Sequence, residues 1–187
     1  MNKAVFLDRD GTIIEDVGHI NSYDKIKFLP RVSKAVALLN KSGFKVIVVS
    51  NQAGVAKGYT TERKVKEINR IIKETLAKCG AVIDKIYYCP HHKDGIVEKY
   101  KKDCSCRKPN TGMIEQATKE FDIDLKKSFM IGDKACDIEA GYKAGCKTAI
   151  LANQNPIKKE ETKVLPDYIA EDLYWAVKMI TYYERMK

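Results

Sequence analysis

No apolar run in this 187-residue chain approaches the ~18 residues that a membrane-spanning helix needs, so no membrane partner is expected. The first residues, Met1-Asn2-Lys3-Ala4-Val5-Phe6-Leu7, meet Asp8-Arg9-Asp10 before a secretory-length apolar stretch can form. They also lack a small-residue cleavage site, so a cytoplasmic protein is expected. Glycine (11) and proline (5) are not enriched, and no repeat or low-complexity tract occurs. That excludes solenoid, fibrous and linker-rich architectures. With 44% hydrophobic and 32% charged residues, the composition is globular rather than disordered. A chain of this length is expected to form one domain over residues 1–187 and to act as a monomer. It buries roughly 70% of its unfolded surface and needs no covalent staples.

Lys and Arg outnumber Asp and Glu by 34 to 25, a net charge of +9 that attracts anions of any kind. The excess is dispersed. Even the densest stretch, Glu98-Lys99-Tyr100-Lys101-Lys102-Asp103, holds two acids, so charge alone selects no partner. Disulfides are not expected among the six cysteines of a cytoplasmic chain. Cys79, Cys136 and Cys146 fall at helix or strand ends and read as buried small hydrophobes. The other three group differently. Cys89-Pro90-His91-His92 and Cys104-Ser105-Cys106 offer three thiolates and one imidazole, from His91 or His92. That is the donor set of a closed, structural Zn²⁺ site. Such an ion would cross-link a polar loop, 89–106, whose closure otherwise costs entropy.

Short β-branched runs alternate with helical patterns. Strands are expected at residues 4–7, 45–49, 84–88, 128–131 and 147–151, with a short edge strand at 167–170. Helices are expected at 31–41, 61–79, 111–121, 135–144 and 172–184. In the longest, Val65, Ile68, Ile72, Leu76 and Cys79 form one stripe, and Gly80 is its stop. This alternation predicts an α/β, Rossmann-like parallel sheet with helices on both faces. Ligands of such sheets bind at the carboxyl ends of the strands.

The chemistry-bearing residues fall at those ends. The first strand delivers Asp8-Arg9-Asp10-Gly11-Thr12, whose two carboxylates repel unless a cation neutralises them or one is protonated. The second ends in Ser50-Asn51-Gln52, a set of hydroxyl and amide donors. Arg107-Lys108-Pro109 offers two cations for an anion ahead of a helix. The fourth ends in Gly132-Asp133-Lys134-Ala135-Cys136-Asp137, and Asp133 adds an oxygen ligand for a hard cation such as Mg²⁺. Asp137 reads as structural and is left out of the site.

These motifs, in this order, resemble the haloacid dehalogenase-like phosphohydrolases over residues 4 to about 151. More narrowly they are similar to the D,D-heptose 1,7-bisphosphate phosphatases and the related histidinol-phosphate phosphatases. The resemblance implies a capless domain with a zinc-loop insertion, because 13–49 and 53–106 are already filled by expected elements. It makes Asp8 the nucleophile of an aspartyl-phosphate mechanism and Asp10 the general acid and base. It assigns Mg²⁺ to Asp8, the Asp10 backbone carbonyl and Asp133, and the phosphoryl oxygens to Ser50 and Lys108. Zinc falls to Cys89, His91, Cys104 and Cys106. Asp16, His19, Asn51, Gln52, Arg107 and Lys134 are the expected substrate contacts. The implied substrate is a small phosphorylated sugar, D-glycero-D-manno-heptose 1,7-bisphosphate losing its 7-phosphate, on the way to nucleotide-activated heptose for a surface polysaccharide. Histidinol phosphate is the alternative. Family members often carry Tyr at the place of His19, and Ser and Arg at those of Ala53 and Lys57. Arg to Lys loses a bidentate fork, which bears on the sugar more than on the chemistry. A zinc-stabilised nucleic-acid-binding module is the non-enzyme alternative. It lacks base-stacking aromatics beside basic residues and leaves Asp8, Asp10 and Asp133 without a task. No nucleic-acid partner is therefore expected.

Overall fold

The most apolar strand segments, Ala4–Leu7 (β1), the Val46–Val49 stretch within Lys45–Asn51 (β2), and Phe129–Gly132 (β4), are buried on both sides and sit mid-sheet. Such continuous burial is the signature of parallel strands covered on two faces. The computed structural model describes residues 1–20, 22–152 and 164–186. Of the domain expected over 1–187, residues 21, 153–163 and 187 lie outside the described residues. With Lys85–Cys89 (β3), Lys147–Leu151 (β5) and Tyr168–Ala170 (β6), the strands form one six-stranded sheet in the order β3-β2-β1-β4-β5-β6, every pair parallel. The strand order reverses between β1 and β4, the crevice where open α/β sheets place their ligands.

Side chains alternate across the sheet. Val5 and Leu7 join the core under Val32–Lys41 (α1), Glu62–Lys78 (α2) and Leu173–Arg185 (α5). Ala4 and Phe6 join a second core under Gly112–Phe121 (α3) and Ala135–Ala144 (α4). Each helix has a local cause. Val32, Ala35, Val36 and Leu39 line the buried face of α1. Thr61 caps α2 by accepting from Lys64 N–H at 3.2 Å. Asp172 caps α5 by accepting from Trp175 N–H at 2.9 Å and also pairs with Arg31. The interval 13–49 holds α1 and most of β2, and 53–106 holds α2, β3 and the cysteine loop, so no separate cap domain interrupts the described residues. Among the described residues no helix is long and apolar enough to cross a membrane.

Two expectations need correction. Cys79 ends exposed, because it is the C-terminal cap residue of α2, beyond the last buried position, Leu76. Cys136 is half-buried, and Cys146 alone of the three is buried as expected. The strands β2 and β4 also run one residue or more further than the apolar pattern. Backbone pairing continues through the polar residues Ser50 and Asn51, up to partners Tyr88 and Cys89.

Replacing Asp172 with Ala removes both the α5 cap and the Arg31 ion pair. Stability is expected to fall by about 1–2 kcal/mol. That lowers Tm by about 2–4 °C per kcal/mol in a domain of this size. Asp172→Asn keeps the cap acceptor and should lose less. Urea unfolding of the two variants measures the difference, and equal losses would assign the whole effect to the ion pair.

Candidate active site

Three buried carboxylates meet where β1 and β4 end. Asp8, Asp133 and Asp137 each bring an oxygen within 4.8 Å of the others. Asp8 N–H donates to Ile131 C=O at 3.0 Å, which fixes the first of them to the neighbouring strand. Two glycines make the approach possible. A Cβ on Gly11, whose φ is +82°, would lie 2.3 Å from Asp133 Oδ2, and one on Gly132 would lie 2.2 Å from Asp137 Oδ2. Like charges this close repel, and Lys108 is the counterweight. Its Nζ lies 2.8 Å from Asp8 Oδ1 and 2.6 Å from Asp137 Oδ1, and it donates to Val49 C=O at 2.6 Å. Burial disfavours the ammonium, but Asp137 and Asp8 outweigh it and push the Lys108 pKa up. Asp133 has no such partner: both its oxygens are buried without a hydrogen bond. Burial, then the charge of Asp8, pushes its pKa up to about 7, with Lys134 opposing. Two unpartnered carboxylate oxygens beside a second carboxylate fit a hard divalent cation with oxygen ligands.

Asp137, left out of the site on sequence grounds, stands inside the cluster. It does cap α4, accepting from Lys134 N–H at 3.1 Å. Its other oxygen braces Lys108. The cap is a local pattern visible in the sequence, whereas the ion pair exists only because a distant loop delivers Lys108 to the same spot.

Asp10 lines the same cavity as Asp8 and is held by a second network. Arg9 faces it with Nε and Nη2, the closest approach being 2.9 Å, and Gln52 Nε2 donates to Asp10 Oδ2 at 2.7 Å. Gln52 also donates to Ser50 Oγ at 2.8 Å and accepts from Arg9 Nη2 at 2.9 Å. Arg9 Nη1 donates to Asn69 Oδ1, on α2, at 3.0 Å. Arg9 and Asn69 were not among the expected site residues. Asn69 had a signal, an amide in the apolar stripe between Val65 and Ile72. Asn51 is spent on the backbone: its side chain donates to Lys108 C=O and accepts from Lys108 N–H, both at 3.0 Å.

Of the remaining expected contacts, Arg107 and Lys134 line the cavity, and Asp16 and His19 do not. Lys134 and Asp16 pair with each other at 2.7 Å. Burial pushes Asp16 up, but Lys134 and the Gly18 N–H hold its carboxyl below the usual range. His19 stacks on Tyr59, ring centres 4.8 Å apart, a partner the sequence did not suggest. A cavity of about 170 Å³ is lined by Asp8, Asp10, Arg107, Lys108 and Lys134 among others. A second, of about 240 Å³, shares Arg107 and Lys108 and adds His92 and Lys93.

The cysteine loop closes on itself as the spacing implied. Sγ atoms of Cys89, Cys104 and Cys106 lie 3.1–3.4 Å apart, and His91 Nδ1 is 3.5 Å from Cys106 Sγ. Zn–S bonds of about 2.3 Å would give a tetrahedron with edges only slightly longer, about 3.7 Å. His92 lies outside the cluster and accepts from Asp94 N–H instead. The loop is docked on α2, where Tyr100 and Tyr88 both donate to Glu62, at 2.7 and 3.0 Å. Ile96 and Val97 N–H groups donate to Ala56 C=O. Arg107 Nη1 donates to His91 C=O at 3.3 Å, which ties the cluster to the cavity rim.

Comparison with known proteins finds relatives along nearly the whole chain. The HAD-hydrolase-like family model matches residues 105–176. The chain is 41% identical to the D-glycero-beta-D-manno-heptose-1,7-bisphosphate 7-phosphatase of Haemophilus influenzae, over 92% of this chain and 94% of that one. It is 37% identical to the D-glycero-alpha-D-manno-heptose-1,7-bisphosphate 7-phosphatase of Photorhabdus laumondii, over 86% and 88%. The chain belongs to the haloacid dehalogenase-like D,D-heptose 1,7-bisphosphate 7-phosphatase family. A solved member, the B. bronchiseptica D,D-heptose 1,7-bisphosphate phosphatase complexed with magnesium and phosphate, superposes with a TM-score of 0.85 at 30% identity, covering 97% of this chain and 99% of that one. Membership of a family of phosphoric monoester hydrolases along nearly the whole chain displaces the nucleic-acid-binding alternative.

Within this family frame, Asp133 makes a prediction about stability. Its folded pKa of about 7 lies above the ordinary 3.8, so it favours the fold at low pH and that contribution is lost as pH rises from about 4 to 7. Asp133→Asn should therefore raise the metal-free Tm at pH 8, by about 2–4 °C per kcal/mol relieved. It should also abolish any Tm increase on Mg²⁺ titration. Thermal melts with and without Mg²⁺ test both. A lower metal-free Tm in the variant would mean that the carboxylate is not strained in the folded state.

Proposed function

We propose that this protein is the Mg²⁺-dependent phosphatase that removes the 7-phosphate of D-glycero-D-manno-heptose 1,7-bisphosphate through an aspartyl-phosphate on Asp8. The observation that carries the mechanism is the buried Asp8–Asp133 pair, with Lys108 on Asp8 and both Asp133 oxygens unpartnered. Residues 1–187 act as one phosphatase domain, monomeric and cytoplasmic, with 89–106 as its inserted loop.

Each group then has a task. Asp8, the backbone carbonyl of Asp10, and Asp133 would hold Mg²⁺. Bound there, the ion neutralises charge between carboxylate and phosphate and stabilises the transition state. A carboxylate oxygen of Asp8 attacks phosphorus while Asp10 gives its proton to the departing sugar oxygen, and the old P–O bond breaks. Water then loses a proton to Asp10 and attacks the acyl-phosphate, so Asp8 is restored and phosphate leaves. Lys108 and Ser50 grip the equatorial oxygens, since positioning and electrostatics carry most of phosphoryl transfer. Arg107, between the two cavities, takes the distal phosphate, with Lys134 across the opening. Asp16 and His19 border the sugar, and Asn51 and Gln52 hold Lys108 and Asp10 in place. Zinc on Cys89, His91, Cys104 and Cys106 fixes the loop that presents Arg107 and Lys108.

The decisive experiment is phosphate release from both anomers of the heptose bisphosphate and from histidinol phosphate, with and without Mg²⁺. The heptose substrate should have the highest kcat/KM, and omission of Mg²⁺ should stop turnover. A preference for histidinol phosphate would overturn the substrate assignment. Asp8→Asn should lower kcat more than about 10³-fold while the protein stays folded by circular dichroism. Wild-type protein should carry about one zinc per chain. Cys104→Ser should lose it, with a lower Tm and a raised KM; a zinc-free wild type of full activity would remove the metal from the account.

A further inference from the structure

Arg9 heads the fully buried side chains by volume among the described residues, 1% exposed, and nothing in the phosphate chemistry above uses it. A guanidinium carries five donors and keeps its charge, so burying one is unfavourable unless its surroundings are fully polar. Here Asp10, Gln52 and Asn69 surround it. Asn69 is itself anomalous: it is 7% exposed, on a helix face otherwise made of Val65, Ile68, Ile72 and Leu76. Packing alone gives no reason for an amide there. Its side-chain oxygen accepts from Arg9. The network therefore runs from the core face of α2 to the carboxyl group of Asp10, and Gln52 closes it from the other side.

We propose that Arg9, anchored by Asn69, is a positioning residue that holds the Asp10 carboxyl in the orientation both halves of the reaction require. The inference rests on the aspartyl-phosphate reading. In the first half, the Asp10 proton passes to the leaving oxygen as the P–O bond breaks. In the second, a water proton passes to Asp10 as the water oxygen bonds to phosphorus and the Asp8–phosphorus bond breaks. A misplacement of about 1 Å in such a group can cost about 100-fold. The two halves differ in their need. A sugar alkoxide leaves poorly and depends on the proton, whereas p-nitrophenolate leaves without it. The hydrolytic half depends on Asp10 with either substrate.

That difference gives a signature that loss of fold would not produce. Arg9→Met and Asn69→Leu should lower kcat on the sugar bisphosphate at least 10-fold, with KM changed less than about two-fold. With p-nitrophenyl phosphate, Asp8 should still be phosphorylated rapidly and hydrolysis should lag. Rapid mixing should then show a nitrophenol burst approaching one per enzyme, above the wild-type amplitude. Asn69→Asp, which keeps an oxygen for Arg9, should recover most of the lost rate. Asn69→Leu removes no charge, so it keeps the test open if Arg9→Met fails to fold. Equal slowing on both substrates without a burst, or wild-type kinetics in a folded Asn69→Leu, would overturn the role. If wild-type enzyme turns over p-nitrophenyl phosphate but not the heptose substrate, the substrate reading fails while the burst still tests the clamp.

Discussion

One ammonium group holds the active end of this molecule together. Lys108 is buried among Asp8, Asp137 and the Val49 carbonyl, at the ends of three structural segments that are remote in sequence. Without it, three carboxylates would share a buried space with only Lys134, itself paired to Asp16, to offset them, a strongly unfavourable arrangement. One lysine cannot satisfy all three. Asp8 and Asp137 take it, and Asp133 is left with two bare oxygens. That shortfall of positive charge is what makes the site receptive to a divalent ion. In the proposed mechanism Asp8 is the attacking carboxylate, so the ammonium that stabilises the resting site would also meet the incoming phosphate.

The position of Lys108 depends in turn on the cysteine loop. The chain reaches it through Cys104-Ser105-Cys106-Arg107, and Asn51 clamps its backbone from both sides. The loop is fastened at three points: the Cys/His cluster, the Tyr100–Glu62 contact with α2, and the two hydrogen bonds to Ala56. A long insertion of this kind would sample many conformations if it were tied only at its ends. Cross-links within it convert a surface loop into a rigid carrier of two cations. The helix α2 thus serves the site twice, once through Glu62 at its start and once through Asn69 two turns later.

Much of this was legible in the sequence. Among the described residues, the six strands and five α-helices were expected close to where they occur, because their apolar periodicity is a local pattern. The Cys/His set stood out because three cysteines and a histidine fall within one short segment, and their four candidate ligand atoms do converge. The failures share a cause. Asp137 read as structural, and it does cap a helix; its second bond, to Lys108, comes from a segment that no local pattern connects to it. Arg9 and Asn69 were given no role, because their mutual hydrogen bond joins segments 60 residues apart. Cys79 was counted with the core because helical periodicity does not say where burial along a stripe ends.

By itself, then, the order of residues determined the parallel α/β sheet, the end of it that carries chemistry, the two acids of the first strand and the donor set of the loop. Those follow from periodicity, strand-end placement and ligand spacing, all short-range properties. Only the tertiary structure decided which charges meet. It put one lysine between two of three carboxylates, left the third bare, and enclosed an arginine against the acid it orients. Pairings of that kind depend on distances between segments far apart in the chain, and a change of an ångström or two there turns a buried ion pair into an unpaired charge.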